Sequence, residues 1–132
     1  MTISIADSIN CVGLPIIVTT SYPYLNFLID TGANLNSIFT FVYEGLPDFF
    51  TPLESKQSQY GIEGNEMSYS MAKATIEFND TKAETAFSVM NADRVVRRLQ
   101  EDNGFQLHGI LGTQFLKDNK WIIDFGKLEI IT

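Results

Sequence analysis

The residues whose types and spacing could do chemistry gather in one stretch of this 132-residue chain. It reads Phe27-Leu28-Ile29-Asp30-Thr31-Gly32-Ala33-Asn34. Three apolar residues run straight into a carboxylate, and a small hydroxyl residue, a glycine and an alanine follow. An apolar run that ends in Asp-Thr-Gly predicts a buried strand stopping in a tight turn. Gly32 allows backbone conformations that a Cβ would forbid. Asp30 is therefore expected at the mouth of the core on a rigid support, the setting in which carboxylates serve as acids and bases. Asp-x-Gly is also a common turn tripeptide, so taken alone it reads first as structural punctuation, and the surrounding residues shift the weight toward chemistry.

Other reactive types are sparse. One cysteine, Cys11, and one histidine, His108, cannot build an intrachain disulfide or a Cys/His metal cluster. Nothing in the sequence orients the two as a nucleophile pair. His108 is expected to be a packed or hydrogen-bonded structural residue. A second apolar-Asp run, Ile122-Ile123-Asp124-Phe125-Gly126, has Phe125 in place of the small hydroxyl residue, and Asp124 is read as structural.

The elements that must position Asp30 follow from periodicity. Cys11 to Thr20 is expected to be a strand carrying Val12, Leu14, Ile16 and Val18 on one side, with Pro15 marking an edge. Ser21-Tyr22-Pro23 turns it into a hairpin with Tyr24 to Ile29. Ser37-Ile38-Phe39 resumes a strand, Thr40 to Glu44 forms one helical turn closed by Gly45, and Leu46 to Pro52 is irregular. Lys56 to Phe78 reads as a long hairpin tipped by Gly61-Ile62-Glu63-Gly64-Asn65, with a bulge or twist near Ala72-Lys73 where the alternation changes parity. Lys82 to Met90 is another strand. Asn91 is expected to cap a helix with Ala92, Val95, Val96 and Leu99 on one stripe. Leu107 to Gly112 is expected to be a strand meeting the Asp30 loop, Gly112 permitting close approach, with Thr113 capping a short helix. Trp121 to Ile131 is a final strand or strand pair bent at Gly126-Lys127.

The Asp-Thr-Gly-Ala loop, followed at long range by Ile110-Leu111-Gly112 and a short helical segment, resembles the retropepsin-like family, the single-domain aspartic proteases of retroviral type. The resemblance runs from about Pro15 to Ile130. It implies one domain over 1–132, a mostly β, closed-barrel acid-protease fold with a flap hairpin and one or two short helices, and a homodimer. It also implies the roles of individual residues. Asp30 would be the catalytic carboxylate, with Thr31 stiffening the loops across the dimer axis and Gly32 giving access to substrate. Ala33 and Asn34 would line the cleft. Gly61, Ile62, Glu63 and Gly64 would cover the bound peptide, although Glu63 departs from the most glycine-rich flap tips. Ile110, Leu111 and Gly112 would form the structural partner of the loop, and the strand around Leu128 to Ile131 would join a dimer sheet.

Aspartic proteolysis needs two carboxylates close together, which share one proton because like charges cannot both ionise easily. One Asp-Thr-Gly loop supplies one carboxylate, and a bilobal single-chain enzyme would need about twice this length. The second carboxylate is therefore expected from a second copy on a two-fold axis. The resulting expectation is an endopeptidase that takes a peptide or protein substrate and needs no cofactor and no metal. The alternative is a catalytically inactive retropepsin-like module for dimerisation or peptide binding, since fold alone does not fix activity.

Composition narrows the partners. Formal net charge is −7, which disfavours nucleic acid phosphates. The cluster Arg94, Arg97, Arg98 sits beside Glu101 and Asp102 and reads as a solvated helix face. No stretch approaches the roughly 20 apolar residues of a membrane span. The first residues lack the basic start and apolar run of a signal peptide, so a cytoplasmic location is expected.

Overall fold

The computed structural model describes residues 1–60 and 66–132, with side chains described for all of these except 54–60 and 66–69. The expected tip residues Gly61, Ile62, Glu63 and Gly64 lie outside the described residues. The first half of the chain forms β1 (Thr2–Ser4), α1 (Ala6–Val12), β2 (Ile16–Val18), β3 (Asn26–Ile29), β4 (Ser37–Phe39), α2 (Thr40–Gly45) and β5 (Thr51–Tyr60). The second half forms β6 (Glu66–Phe78), β7 (Thr81–Met90), α3 (Asp93–Asn103), β8 (Gly109–Leu111), α4 (Thr113–Asp118), β9 (Ile122–Asp124) and β10 (Glu129–Ile131).

The mostly β, closed barrel expected from the sequence is not what the chain forms. Seven strands run in the order β2-β3-β8-β4-β7-β6-β5, and the end strands β2 and β5 do not pair with each other. The sheet is open, and with four helices among the described residues the domain is mixed α/β. The segment after β2 does reach the far end of β6. Thr20 N–H donates to Glu77 O at 2.8 Å, and Asn79 N–H donates to Thr20 Oγ1 at 2.8 Å. These are loop contacts, because β2 is only three residues long and ends before a ladder can form.

The N-terminal correction has a local cause. Val12, Leu14, Ile16 and Val18 alternate like a strand, but Cys11 and Val12 belong to α1. Ile5, Ile9 and Val12 recur at helical spacing, with Ile5 fully buried and the other two packed against the core. Gly13, at φ 80°, closes the helix through its N–H to Ile9 O. The strand begins only at Ile16.

The expected bulge at Ala72-Lys73 is also displaced. β6 pairs with β7 in unbroken register from Met71 to Phe78, and the irregularity lies on β5 between Leu53 and Gln57. Met71 and Ala72 are both buried, so the change of parity marks a strand covered on both faces rather than an inserted residue. In α3 the inward residue is Val96, whereas Val95 is 60% exposed. Arg94, Arg97 and Arg98 are exposed as expected. Among the described residues no helix is long and apolar enough to cross a membrane.

The core is aromatic. Phe27 on β3 stacks on Phe87 of β7 at 5.8 Å and meets Phe78 of β6 edge-on at 6.3 Å. Phe78 in turn packs against Trp121, which contacts Phe115 of α4 at 4.9 Å. Each such ring contributes roughly 1.5–3 kcal/mol by burial. This cluster anchors the base of β3 and, through Phe115, the helix that follows β8.

The terminal strands form a separate three-stranded sheet of order β1-β10-β9. Trp121 to Ile131 is thus a strand pair, and Leu128, at φ 52°, closes the turn. Both sides of β10 are occupied within the chain, by Thr2–Ser4 and by Ile122–Asp124.

His108 joins β3 to the approach of β8. Its Nδ1 accepts the Asn26 N–H at 2.8 Å, and its backbone N–H donates to Asn26 O at 2.9 Å. Burial lowers its pKa below the ordinary 6.5. The unfolded chain therefore binds a proton that the folded chain refuses. This contribution to stability is fully present above about pH 6.5 and is lost as pH falls from there toward the folded value. We expect the melting temperature to drop between pH 7 and 5, and His108→Asn, which keeps an acceptor near Nδ1, to flatten that slope. A variant with the wild-type slope would remove His108 from the linkage.

Close packing around β8 makes a second expectation. A Cβ on Gly109 would lie 2.5 Å from Ser37 O and 2.7 Å from the Phe27 ring. Gly109→Ala should cost about 1–3 kcal/mol in urea unfolding. Gly45→Ala, with nothing within 4 Å of its Cβ position, should be neutral or slightly stabilising. Equal stabilities for the two variants would contradict the packing described.

Candidate active site

Asp30 is delivered by β3 at the point where two strands of opposite origin meet. β8 pairs parallel with β3, Ile29 opposite Leu111, and antiparallel with β4, Ser37 opposite Ile110. The chain therefore leaves β3, passes the end of β8 as the Asp30 loop, and returns on the far side as β4. Asp30 N–H donates to Leu111 O at 3.0 Å, extending the parallel ladder to the carboxylate residue itself.

The loop is closed by its own polar groups. Gly32 N–H donates to Asp30 Oδ1 at 2.9 Å, and Ala33 N–H donates to Asp30 O at 3.2 Å. The first bond turns one carboxylate oxygen back on the loop and fixes the side-chain orientation. Asp30 and Ala33 are half-buried, while Thr31, Gly32 and Asn34 are exposed. The site thus lies on the surface of a single chain. An apolar cavity of about 470 Å³ elsewhere, between α1 and β2, is lined by Ser8, Cys11, Ile16 and Phe105 and does not include Asp30.

Gly112 holds the loop from beneath. A Cβ there would lie 2.6 Å from Ala33 O and 2.7 Å from Leu35 O. Only glycine allows the backbone after β8 to touch the backbone of the loop. Ile110 is half-buried, and Leu111 and Gly112 are buried. The structure brings the predicted loop Asp30 to Asn34 and the predicted partner Ile110 to Gly112 together. Thr113 does not cap α4 with its side chain. Its N–H instead donates to Ala33 O at 2.8 Å, tying the helix to the loop.

Asn36 is the residue that sequence reasoning missed. It is buried, its Oδ1 accepts Gly112 N–H at 3.0 Å, and its Nδ2 donates to Ala86 O at 3.4 Å. Its backbone O accepts Ser88 N–H at 2.8 Å, and the adjacent Ser37 and Ser88 hydroxyls lie 2.9 Å apart. One amide therefore joins β8 and β7 directly behind the Asp30 loop. The available signal was a polar pair, Asn36-Ser37, inside the apolar run from Leu35 to Phe39. Asp124 is absorbed by its own turn, where Oδ1 accepts Lys127 N–H at 3.0 Å.

No family model and no curated protein matches the sequence. Among solved structures the chain is similar to EIAV protease in complex with the inhibitor HBY-793. The match has a TM-score of 0.59 at 20% identity, and it covers 81% of this chain and 88% of that one. At that identity the likeness is one of fold. It places a retropepsin among the chain's neighbours in fold.

Proposed function

We propose that the chain is an aspartic endopeptidase whose site is completed by a second copy. The observation that carries this reading is the Asp30 loop: a half-buried carboxylate oriented by Gly32 N–H, on a loop held from beneath by Gly112. Two such loops facing each other across a two-fold axis make a carboxylate pair sharing one proton. The ionised member takes a proton from water as the oxygen attacks the scissile carbonyl. The protonated member gives its proton to the carbonyl oxygen. The first member then passes the proton it took from water to the amide nitrogen as the C–N bond breaks, and the second takes back a hydroxyl proton, leaving acid and amine and the original one-proton pair. Thr31 stiffens the facing loops, Gly32 gives access to substrate, Ala33 and Asn34 line the cleft, and Asn34 bonds the substrate backbone.

Asp30→Asn is nearly isosteric and cannot exchange the proton. Peptide turnover, followed over roughly pH 3 to 7 where a shared-proton pair works, should fall by about 10²–10⁴-fold with the fold retained. Two copies joined by a flexible linker separate the two possible sources of the second carboxylate. Asp30→Asn in one half should remove nearly all activity, whereas Asp124→Asn in both halves should leave it in place. Retention of about half the activity in the first case would mean independent sites and would overturn the reading.

A further inference from the structure

We infer that Asn36 is a positioning residue for Asp30, acting through the one peptide unit that joins Leu111 to Gly112. A trans peptide sets its C=O and N–H in opposite directions, and this unit uses both. On one side Leu111 O accepts Asp30 N–H at 3.0 Å. On the other, Gly112 N–H donates to Asn36 Oδ1 at 3.0 Å. Asn36 Nδ2 then donates to Ala86 O of β7 at 3.4 Å. The hydrogen bonds run in one unbroken line from β7, through a side-chain amide and a backbone amide, to the main chain of the carboxylate residue. Each N–H that donates makes the C=O of the same amide a better acceptor, so the members of such a line strengthen one another.

The line makes two demands on position 36 at once, an acceptor for Gly112 N–H and a donor for Ala86 O. Asn36 is only 5% exposed, so a partner lost there is costly to leave unmet. Its main chain is fixed separately, because its carbonyl accepts Ser88 N–H at 2.8 Å. The side chain is thus aimed from a rigid base. Asn36 acts on Asp30 through Gly112 and not by touching the reacting atoms. Its effect on turnover rests on the peptidase reading above, whereas its hold on the Asp30 main chain does not.

Asn36→Asp keeps the shape of the side chain and makes the line depend on one proton. Protonated, the new carboxyl still accepts from Gly112 N–H and donates to Ala86 O. Ionised, it has acceptors alone and sets a negative charge against Ala86 O. Lys82 and Glu84 of β7 and Asp118 of α4 line the same cleft as Asn36, so two carboxylates outweigh one ammonium there. Burial, Ala86 O and these charges all favour the protonated form and raise the new carboxyl above the ordinary range. The folded variant therefore holds a proton that the unfolded chain releases. Its line is intact in acid and is lost as pH rises through the raised value.

Amide hydrogen exchange read by NMR follows the line with no substrate present. It is measured at about pH 4 and at the highest pH, up to about 7, at which thermal melts show Asn36→Asp folded. At the higher pH the Asp30 and Gly112 amides of the variant should lose about tenfold or more of their protection relative to wild type, while the ladder of β6 with β7 keeps its own. At about pH 4 both amides should match wild type. Peptide turnover should follow, with kcat down about tenfold or more at the higher pH, KM little changed, and recovery in acid. Lost protection at Gly112 with Asp30 untouched would end the line at Gly112 and overturn the inference. An equal loss across every protected amide would also overturn it, because that is a change in global stability, as would a variant equal to wild type at both pH values. A wild-type protein that hydrolyses no peptide would remove the peptidase reading, and the exchange at Asp30 would still decide the hold of Asn36 on it.

Discussion

The structure depends on the insertion of β8 between β3 and β4. A strand can occupy that slot only if both of its ends approach neighbouring backbone more closely than a side chain permits. Gly109 meets Ser37 O and the Phe27 ring, and Gly112 meets Ala33 O and Leu35 O. Between them Leu111 is fully buried. The slot makes the Asp30 loop rigid, because the loop must bridge strands on either side of β8 while its own N–H and C=O groups bond to β8 and to Thr113. Rigidity at the carboxylate is thus a consequence of strand order rather than of any one side chain.

Polar groups then secure what backbone contact begins. Asn36 satisfies the Gly112 N–H where no strand partner is available, and it reaches β7 with its other end. A buried amide that bonds at both ends holds two strands at a fixed separation, whereas leaving one end unmet would cost about 1–3 kcal/mol. His108 plays a comparable part at the other end of β8, accepting the Asn26 N–H. Its bond requires the neutral ring, so the device that secures β3 weakens in acid. A carboxylate pair sharing a proton works on that same acidic side, which sets a stability limit on the pH range in which the proposed chemistry can run.

The aromatic core connects this slot to the rest of the molecule. Phe27 lies beneath the loop, Phe78 and Phe87 come from the long strands, and Phe115 with Trp121 brings in the helix after β8. The terminal sheet is attached through Trp121 and the buried Ile130. It stays separate from the large sheet because its three strands pair only with one another. The large sheet in turn is open, with β2 and β5 as its two unpaired end strands.

Local chemistry was readable from the chain without coordinates. Phe27 to Gly32 announces a strand ending in a turn because apolar residues, Asp and Gly act within a few residues of one another. The same holds for the β6 and β7 alternation, for the helix around Val96 and for the small residue at Gly112. Tertiary structure decided what depends on distant partners. Alternation at Val12 to Val18 matched a strand, yet Ile5, Ile9 and Val12 had a core to face and Gly13 ended a helix. Barrel closure was expected, but it requires two end strands to meet, and strand length and loop path set that, not residue type. Asn36 looked like an ordinary polar residue because its partner Gly112 is 76 positions away. A sequence states which groups need partners, and only the folded chain shows which groups come within a hydrogen bond of each other.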